Sequence, residues 1–459
     1  MSGWGAVGAG IQVITFFAES SRRKKAEKDA FEILLKKQEE NRLNRLLKVE
    51  QSIVADAQGL YQLTGEKRLL LEGESILFER QLALPGAVQH NYYNTVISGG
   101  DENIRAFALL KTIEDAHNNG LPTIIIHCGN RKIEYYVHQS TSIRNKLIIN
   151  SQNGLYDPFL SMSPTDIAAL FMKSADDYAK QHWNFQAFVG LIAELYFLRQ
   201  KKSLTLKALL STNVANLPKK IQDSKTNGLI DNTKMLELNQ RYQAIQSDAY
   251  NFQQYLNQLK LRFDDFYSQN RNGTFRGLGK ALNGNTVITL DITDPSNEEF
   301  VRFVINNLLS YKRRGVDFVA CFADLNLSDY GEVMFDYAKS NGGKNKFSLC
   351  SSDAVSSLGS PDKLNAIMGL VKNRVYFSHS DGNNCAILSD GLGTYSRWEI
   401  TYTYSNANRG LVPDTTNGTN LSRNATERRI PTEVLMSLTG NQMVFKDGSS
   451  NDIILMHLN

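Results

Sequence analysis

The residues best suited to chemistry lie in one stretch, His90 to Arg105. It reads as a strand, a Gly99-Gly100 turn and the start of a helix, and a second apolar strand, Thr123 to His127, follows. That is the layout of a nucleotide-binding βαβ unit. The phosphate-binding form of the turn, G-x-x-x-x-G-K-[ST], works because backbone N–H groups and a Lys ammonium face the phosphates while a hydroxyl holds Mg²⁺. Here the glycines are present, but Asp101 and Glu102 stand at the turn and no Lys lies between Gly99 and Phe107. Carboxylates facing phosphates are repulsive. Arg105 could reach a phosphate, but from a helix rather than from under a closed loop. Gly99, Gly100, Asp101 and Arg105 therefore read as a degenerate phosphate loop on a scaffold that does not turn over nucleotide. A second Gly-Lys stretch, Gly277 to Lys280, is a decoy: Ala281 follows where Ser or Thr is needed, and no apolar strand leads into it.

The elements that must hold this turn follow from periodicity. Short apolar runs at 286–291, 317–324, 346–350 and 374–378 read as strands, separated by helices at 297–311 and 331–340. Such alternation predicts a mostly parallel sheet covered on both faces. Residues 155 to about 272 read as mostly helical, with Pro164-Thr165-Asp166 opening one helix, a strongly apolar second helix from Phe185 to Leu198, and a polar helix from about Asp231 to Tyr267. This helical insertion divides the sheet domain in sequence. From Glu19 to about Leu60 a narrow apolar stripe on a charged helix predicts a stalk. Residues 396–429, rich in Ser, Thr, Asn and Arg, read as a loop, and its three N-x-[ST] triplets carry no meaning without a secretory signal.

Composition sets the bounds. A chain of 459 residues predicts two to three domains, and 42% hydrophobic content supplies a sizeable core. The net charge of +4 is too mild to indicate a nucleic-acid binder by itself. Four dispersed cysteines without a C-x-x-C pair suggest neither a disulfide framework nor a zinc site, and read as small buried hydrophobes. Residues 1–18 carry no charged side chain and precede Arg22-Arg23-Lys24-Lys25. A helix of about 18 residues spans about 27 Å, just enough to cross a bilayer. The segment reads as a membrane anchor, with a helix against a partner or a disordered tail as alternatives.

In the order of its pieces the chain resembles the type IV coupling proteins, the conjugative P-loop ATPases of the TraG/TraD kind, over roughly residues 76 to 459. His90 to Gly100 resembles the strand entering the family's phosphate loop, and Pro122 to Tyr136 the next strand and hairpin. Tyr156 to Phe159 resembles the entry to the all-α insertion. Thr286 to Asp291, Asn373 to Gly393, Arg429 to Leu438, Gln442 to Phe445 and Ile453 to Met456 resemble the later strands and helices. The resemblance implies an α/β fold with a RecA-like, mostly parallel sheet covered by helices, an inserted all-α domain and an N-terminal helical stalk. It divides the chain into 1–18 (anchor), 19–75 (stalk), 76–154 (first part of the RecA-like domain), 155–285 (insertion) and 286–459 (second part).

The departures from the family fall on the chemistry. The family's acidic strand ends in Asp-Glu, for metal and water activation. Here Asp324 matches the Asp, while Leu325 replaces the Glu, leaving Asp324 as a vestigial metal or water carboxylate or a cap on the next turn. Ser351-Ser352-Asp353 stands where the family has a sensing Gln. Lys344 or Lys346 lies where an arginine finger would come from a neighbouring subunit, and a solvated Lys is the bland alternative. Loss of the Lys, the Mg²⁺ hydroxyl and the base removes at least three electrostatic contributions of ~2–4 kcal/mol each, several orders of magnitude in rate.

The resemblance thus implies a coupling-protein-like subunit of a type IV secretion or conjugative DNA-transfer apparatus, structural or cargo-recruiting, without ATP hydrolysis. No cofactor and no metal are expected. Its partners would be type IV secretion components, an active coupling ATPase, or relaxase and effector cargo, in a homo- or hetero-oligomer at the cytoplasmic side of the bacterial inner membrane, peripheral or singly anchored. Two alternatives stand beside it. One is an active DNA-translocating ATPase with an unconventional phosphate loop, which would use ATP and Mg²⁺. The other is a non-catalytic nucleic-acid-binding module, with basic clusters such as Lys219-Lys220 meeting phosphates and Tyr92, Tyr93, Tyr135 and Tyr136 stacking on bases.

Overall fold

The computed structural model describes residues 92–292, 298–325, 330–404, 417–446, 448 and 453–458, together with helical residues between 22 and 40 and short strands between 63 and 82. The anchor expected at 1–18 and most of the stalk expected at 19–75 lie outside the described residues. Those described between 22 and 40 are helical and exposed.

The chain enters the sheet through β1 (Thr95–Ser98), α1 (Glu102–Asn118), β2 (Thr123–His127), α2 (Arg131–Gln139) and β3 (Lys146–Ile149). A helical stretch follows, with α3 (Pro164–Ser174), α4 (Asn184–Gln200), α5 (Leu217–Thr226), α6 (Asn232–Ile245) and α7 (Ala249–Ser268). The sheet resumes with β4 (Val287–Asp291), α8 (Glu298–Arg313), β5 (Val319–Ala323), α9 (Tyr330–Lys339) and β6 (Lys346–Ser351). Then come α10 (Ala354–Leu358), α11 (Pro361–Met368), β7 (Asn373–Tyr376), α12 (Gly382–Leu392), a hairpin of β8 (Thr394–Tyr404) and β9 (Asn417–Arg428), α13 (Thr432–Ser437), β10 (Gln442–Lys446) and β11 (Ile453–His457).

Seven strands run parallel in the order β7-β1-β6-β5-β2-β4-β3, and β10 and β11 extend the β7 edge antiparallel. The central strands are buried on both faces, which is why they read as unbroken apolar runs. Their alternate residues feed two cores. Ile97, Ile125, Val319 and Cys350 pack with α1 and α2 on one face. Val96, Ile124, Ile126, Phe322 and Leu349 join the later helices and the helical insertion on the other. This is a RecA-like α/β fold.

The insertion is built on aromatic packing. Phe171, Phe185, Phe188, Phe252 and Phe263 are fully buried, and Phe188 stacks on Phe252 at 4.9 Å. Ser163 caps α3 by accepting from the Asp166 N–H, with Pro164 in the first turn. At the entry, Asp157 is wholly buried and accepts from the N–H groups of Phe159 (3.0 Å) and Leu206 (2.8 Å). Its burial lifts the carboxyl pKa to about 7, against the pull of those bonds.

Three expected elements come out differently. The hairpin expected within Pro122 to Tyr136 is a strand and a helix, because Gly129 turns the chain at φ +66° and the Asn130 side chain caps α2. The loop expected at 396–429 contains a long antiparallel hairpin; Trp398, Ile400, Thr401, Tyr402 and Thr403 supply the strand propensity that its Ser and Asn content obscured. The polar helix expected from Asp231 to Tyr267 is broken at Gln246–Asp248, where the Asp248 carboxylate accepts from the Asn184 amide. Of the cysteines, Cys321 and Cys350 are buried in strands and Cys385 in a helix, while Cys128 is partly buried.

Candidate functional site

The carboxyl ends of β1, β2, β5, β6 and β7 converge, the position where open parallel sheets place their sites. At the end of β1, Gly99 (φ +87°) and Gly100 (φ +68°) both adopt left-handed backbone. No side chain fits either position: a Cβ on Gly99 would stand 2.5 Å from His379 Cε1, and one on Gly100 2.9 Å from Phe377 Cβ. The turn is pressed against the end of β7. Its backbone donors are engaged by the ends of β6 and β7, since the Gly99 N–H donates to Ser351 O (3.2 Å) and the Gly100 N–H to Ser378 O (2.9 Å). The Asp101 side chain caps α1 by accepting from the Ile104 N–H at 2.8 Å.

Arg105 lies one turn into α1 with its side chain almost wholly buried. Its Nε and Nη2 reach Asp324 Oδ1 at 3.1 and 3.0 Å, and Nη1 donates to Gly100 O at 2.6 Å. The second oxygen of Asp324 accepts from Asn130 Nδ2 at 3.0 Å. Asp324 follows β5 at φ +47°, a left-handed conformation that short polar side chains tolerate best, and its N–H donates to Cys350 O. One Arg, one Asp and one Asn thus bind the ends of β1, β5 and β2 together. Beside them opens a cavity of about 350 Å³ lined by Glu102, Arg105, Asn130, Asp324, Ser351 and Ser352, among others.

Two histidines stand behind this wall. His379 Nδ1–H donates to Phe377 O (2.8 Å), leaving Nε2 to accept from the Ser98 hydroxyl (2.8 Å), whose oxygen accepts from the Ala354 N–H. Burial holds its pKa below the usual value, and this bonding uses the neutral ring. His127, at the end of β2, lies 3.9 Å from Asp291 and 3.8 Å from Glu134, and burial depresses it to about 4. Among the described residues no cluster of three or more His, Cys, Asp or Glu is arranged to hold a metal.

Gly99, Gly100, Asp101, Arg105 and Asp324 therefore meet at one place. Ser351 lines the same cavity, while Asp353 caps α10. Lys346 is paired with Asp317, and Lys344 is exposed. Tyr92 is buried with its hydroxyl on Ser348, whereas Tyr135 is exposed and the Tyr136 hydroxyl donates to Asn103. Asn130, Ser98 and His379 were not singled out from sequence. Ser98 and His379 are 281 positions apart, with no local signal to join them; Asn130 carried one faint mark, a cap residue after an apolar strand.

No family model matches the chain, and no curated protein matches it in sequence. In structure, the unbound bacterial conjugative coupling protein TrwB is similar, with a TM-score of 0.50 at 11% identity over 86% of this chain and 88% of that one. The chain has the fold of a conjugative coupling protein. TrwB bound to a non-hydrolysable GTP analogue is also similar (TM-score 0.45, 10% identity, 82% of this chain and 88% of that one). So is VirB4 of Thermoanaerobacter pseudethanolicus (TM-score 0.44, 12% identity, 86% and 96%). In this chain's coupling-protein fold the two N–H groups of the Gly99-Gly100 turn, and the Arg105 guanidinium beside it, are held by the chain's own carbonyls and carboxylate. Among the described residues no helix is long and apolar enough to cross a membrane.

Proposed function

We propose that this chain is a coupling-protein-like subunit of a type IV secretion or conjugative DNA-transfer apparatus that recruits or organises without hydrolysing ATP. The observation carrying this reading is the self-satisfied turn. A triphosphate needs free backbone N–H groups and an unpaired cation. Here the Gly99 and Gly100 N–H groups face Ser351 O and Ser378 O, and Arg105 is tied to Asp324 and Gly100 O. TrwB has been seen with ADP and Mg²⁺. The residues at this turn do not fit a nucleotide phosphate, because their N–H groups and the Arg105 guanidinium already have partners within the chain. The helical insertion, with Trp183 and Tyr250 strongly exposed at the starts of α4 and α7, is the surface best suited to relaxase or effector cargo. Assembly with other secretion components, as a homo- or hetero-oligomer against the inner membrane, belongs to the same proposal.

Calorimetry with ATP·Mg²⁺, phosphate-release assays and a transfer assay of Asp324→Asn test it. We expect no saturable nucleotide heat, and transfer unchanged at matched protein level. Turnover that disappears when Asp324 is neutralised would instead establish the rival reading, a working ATPase with an unconventional loop.

A further inference from the structure

A second cavity, of about 190 Å³, lies where the helical insertion meets the sheet domain, between α3 and α8. The two helices run antiparallel: Asp166 near the start of α3 meets Arg314 just after α8 (2.7 Å), and Asn306 within α8 donates to Lys173 O. Three cations line the cavity, Lys173, Arg313 and Arg314, against one carboxylate, Asp166. That carboxylate is already occupied, since its Oδ2 accepts from the Ser163 hydroxyl and pairs with Arg314. Among the described residues Lys173 makes no side-chain hydrogen bond or ion pair. Arg313 donates only Nε to Leu309 O in its own helix (3.3 Å), a contact that uses none of its charge on an acid.

Lys173 and Arg313 are like charges lining one concave, solvent-reachable seam, and among the described residues no acid pairs with either. Burial first, and then the charge of Arg313, lower the Lys173 pKa. We propose that this seam is a binding site for a phosphate group, held by the Lys173 ammonium and the Arg313 guanidinium, with Arg314 kept in place by Asp166. Guanidinium and ammonium groups lining one cavity from two helices are the donor set that tetrahedral oxyanions select. The bound group would join the insertion to the crossover helix of the sheet, so occupancy would stiffen that seam. The site shares no residue with the Gly99-Gly100 turn and does not depend on the reading of that turn.

The competing structural explanation is that Lys173 and Arg313, each in the last turn of its helix, merely complement the helix dipoles. The full chain is therefore titrated with inorganic phosphate at constant ionic strength, by calorimetry and thermal melting. The same is done for Lys173→Met/Arg313→Gln, for Lys173→Arg, and for Lys363→Met as a surface control. A phosphate site predicts saturable binding and a rising Tm in the unaltered chain, a loss of about tenfold or more in affinity in the double variant, and retention in Lys173→Arg and Lys363→Met. It also predicts that the double variant melts no lower than the parent in phosphate-free buffer. Absence of saturable phosphate binding, or equal binding by parent and double variant, overturns the proposal, as does a double variant that melts lower without phosphate and gains as much from it. A short single-stranded oligonucleotide separates the sources of the phosphate. A salt slope reduced by about one to two in the double variant identifies backbone phosphates. An unchanged slope with lost inorganic-phosphate binding identifies a free phosphate or small phosphate ester.

Discussion

Arg105 and Asp324 form the pair on which the candidate site turns. Both side chains are largely removed from water, so removing one partner leaves the other desolvated and unmatched. Arg105→Met and Asp324→Asn should each destabilise the chain by about 2–3 kcal/mol, discounted for the residual exposure of Asp324. The double variant should cost clearly less than the two singles combined, because neither charge is then stranded. Urea denaturation of the four proteins measures this, and strict additivity would show that the contact carries no coupling. Both residues were visible in the sequence as candidates, one on the helix after the Gly turn and one at a strand end. Their pairing was not, since 219 positions separate them and only strand order brings them together.

Helix α2 owes its start to one residue with two duties. Asn130 accepts from the Ile133 N–H through Oδ1 and donates to Asp324 through Nδ2. Asn130→Ala should lose about 2.5–4 kcal/mol, the sum of a cap of about 1 and a hydrogen bond to a charged group of about 1.5–3. Asn130→Asp keeps the cap but sets a second carboxylate against Asp324. Its deficit should shrink at high salt, whereas that of the Ala variant should not, and denaturation at two ionic strengths separates them. A hairpin was expected in this region because its residues were matched to the resembling family rather than weighed as a cap. The Asn130 cap and the apolar spacing of Ile133 and Val137 were local signals for the helix. Helix α3, with Ser163, Pro164 and Asp166 in order, was legible for the same local reason.

Across the whole molecule the pH response reflects carboxyls buried without a cation. Burial raises Asp115 and Asp157 each to about 7, well above the unfolded value near 4. The native chain therefore holds protons there that the unfolded chain has released, so the stability these groups contribute is complete below about pH 4 and is lost as pH rises through about 7. Buried neutral His117, His127 and His379 have lowered values and act in the opposite sense, losing stability as pH falls below about 6.5. Comparing the parent with Asp115→Asn cancels the histidines. Between pH 5 and pH 8 the parent should lose about 2 kcal/mol relative to the variant, read from denaturation midpoints at each pH. A difference that does not change with pH would mean Asp115 titrates normally. The helical insertion belongs to the same scale, because its aromatic residues share one continuous core with a face of the sheet.

The order and kind of most elements were set by local chemistry: fully apolar runs make strands buried on both faces, cap residues start helices, and two acids beside two glycines depart from a phosphate-binding turn. None of these needs a distant partner to be read. What the Gly99 and Gly100 N–H groups face, which cation Asp324 holds, and the placing of His379 behind Ser98 were decided only when the parallel strands took their order in space. Hydrogen bonds and ion pairs form over about 3 Å, and the groups that make them here lie far apart in the chain, so no spacing in the sequence encodes them.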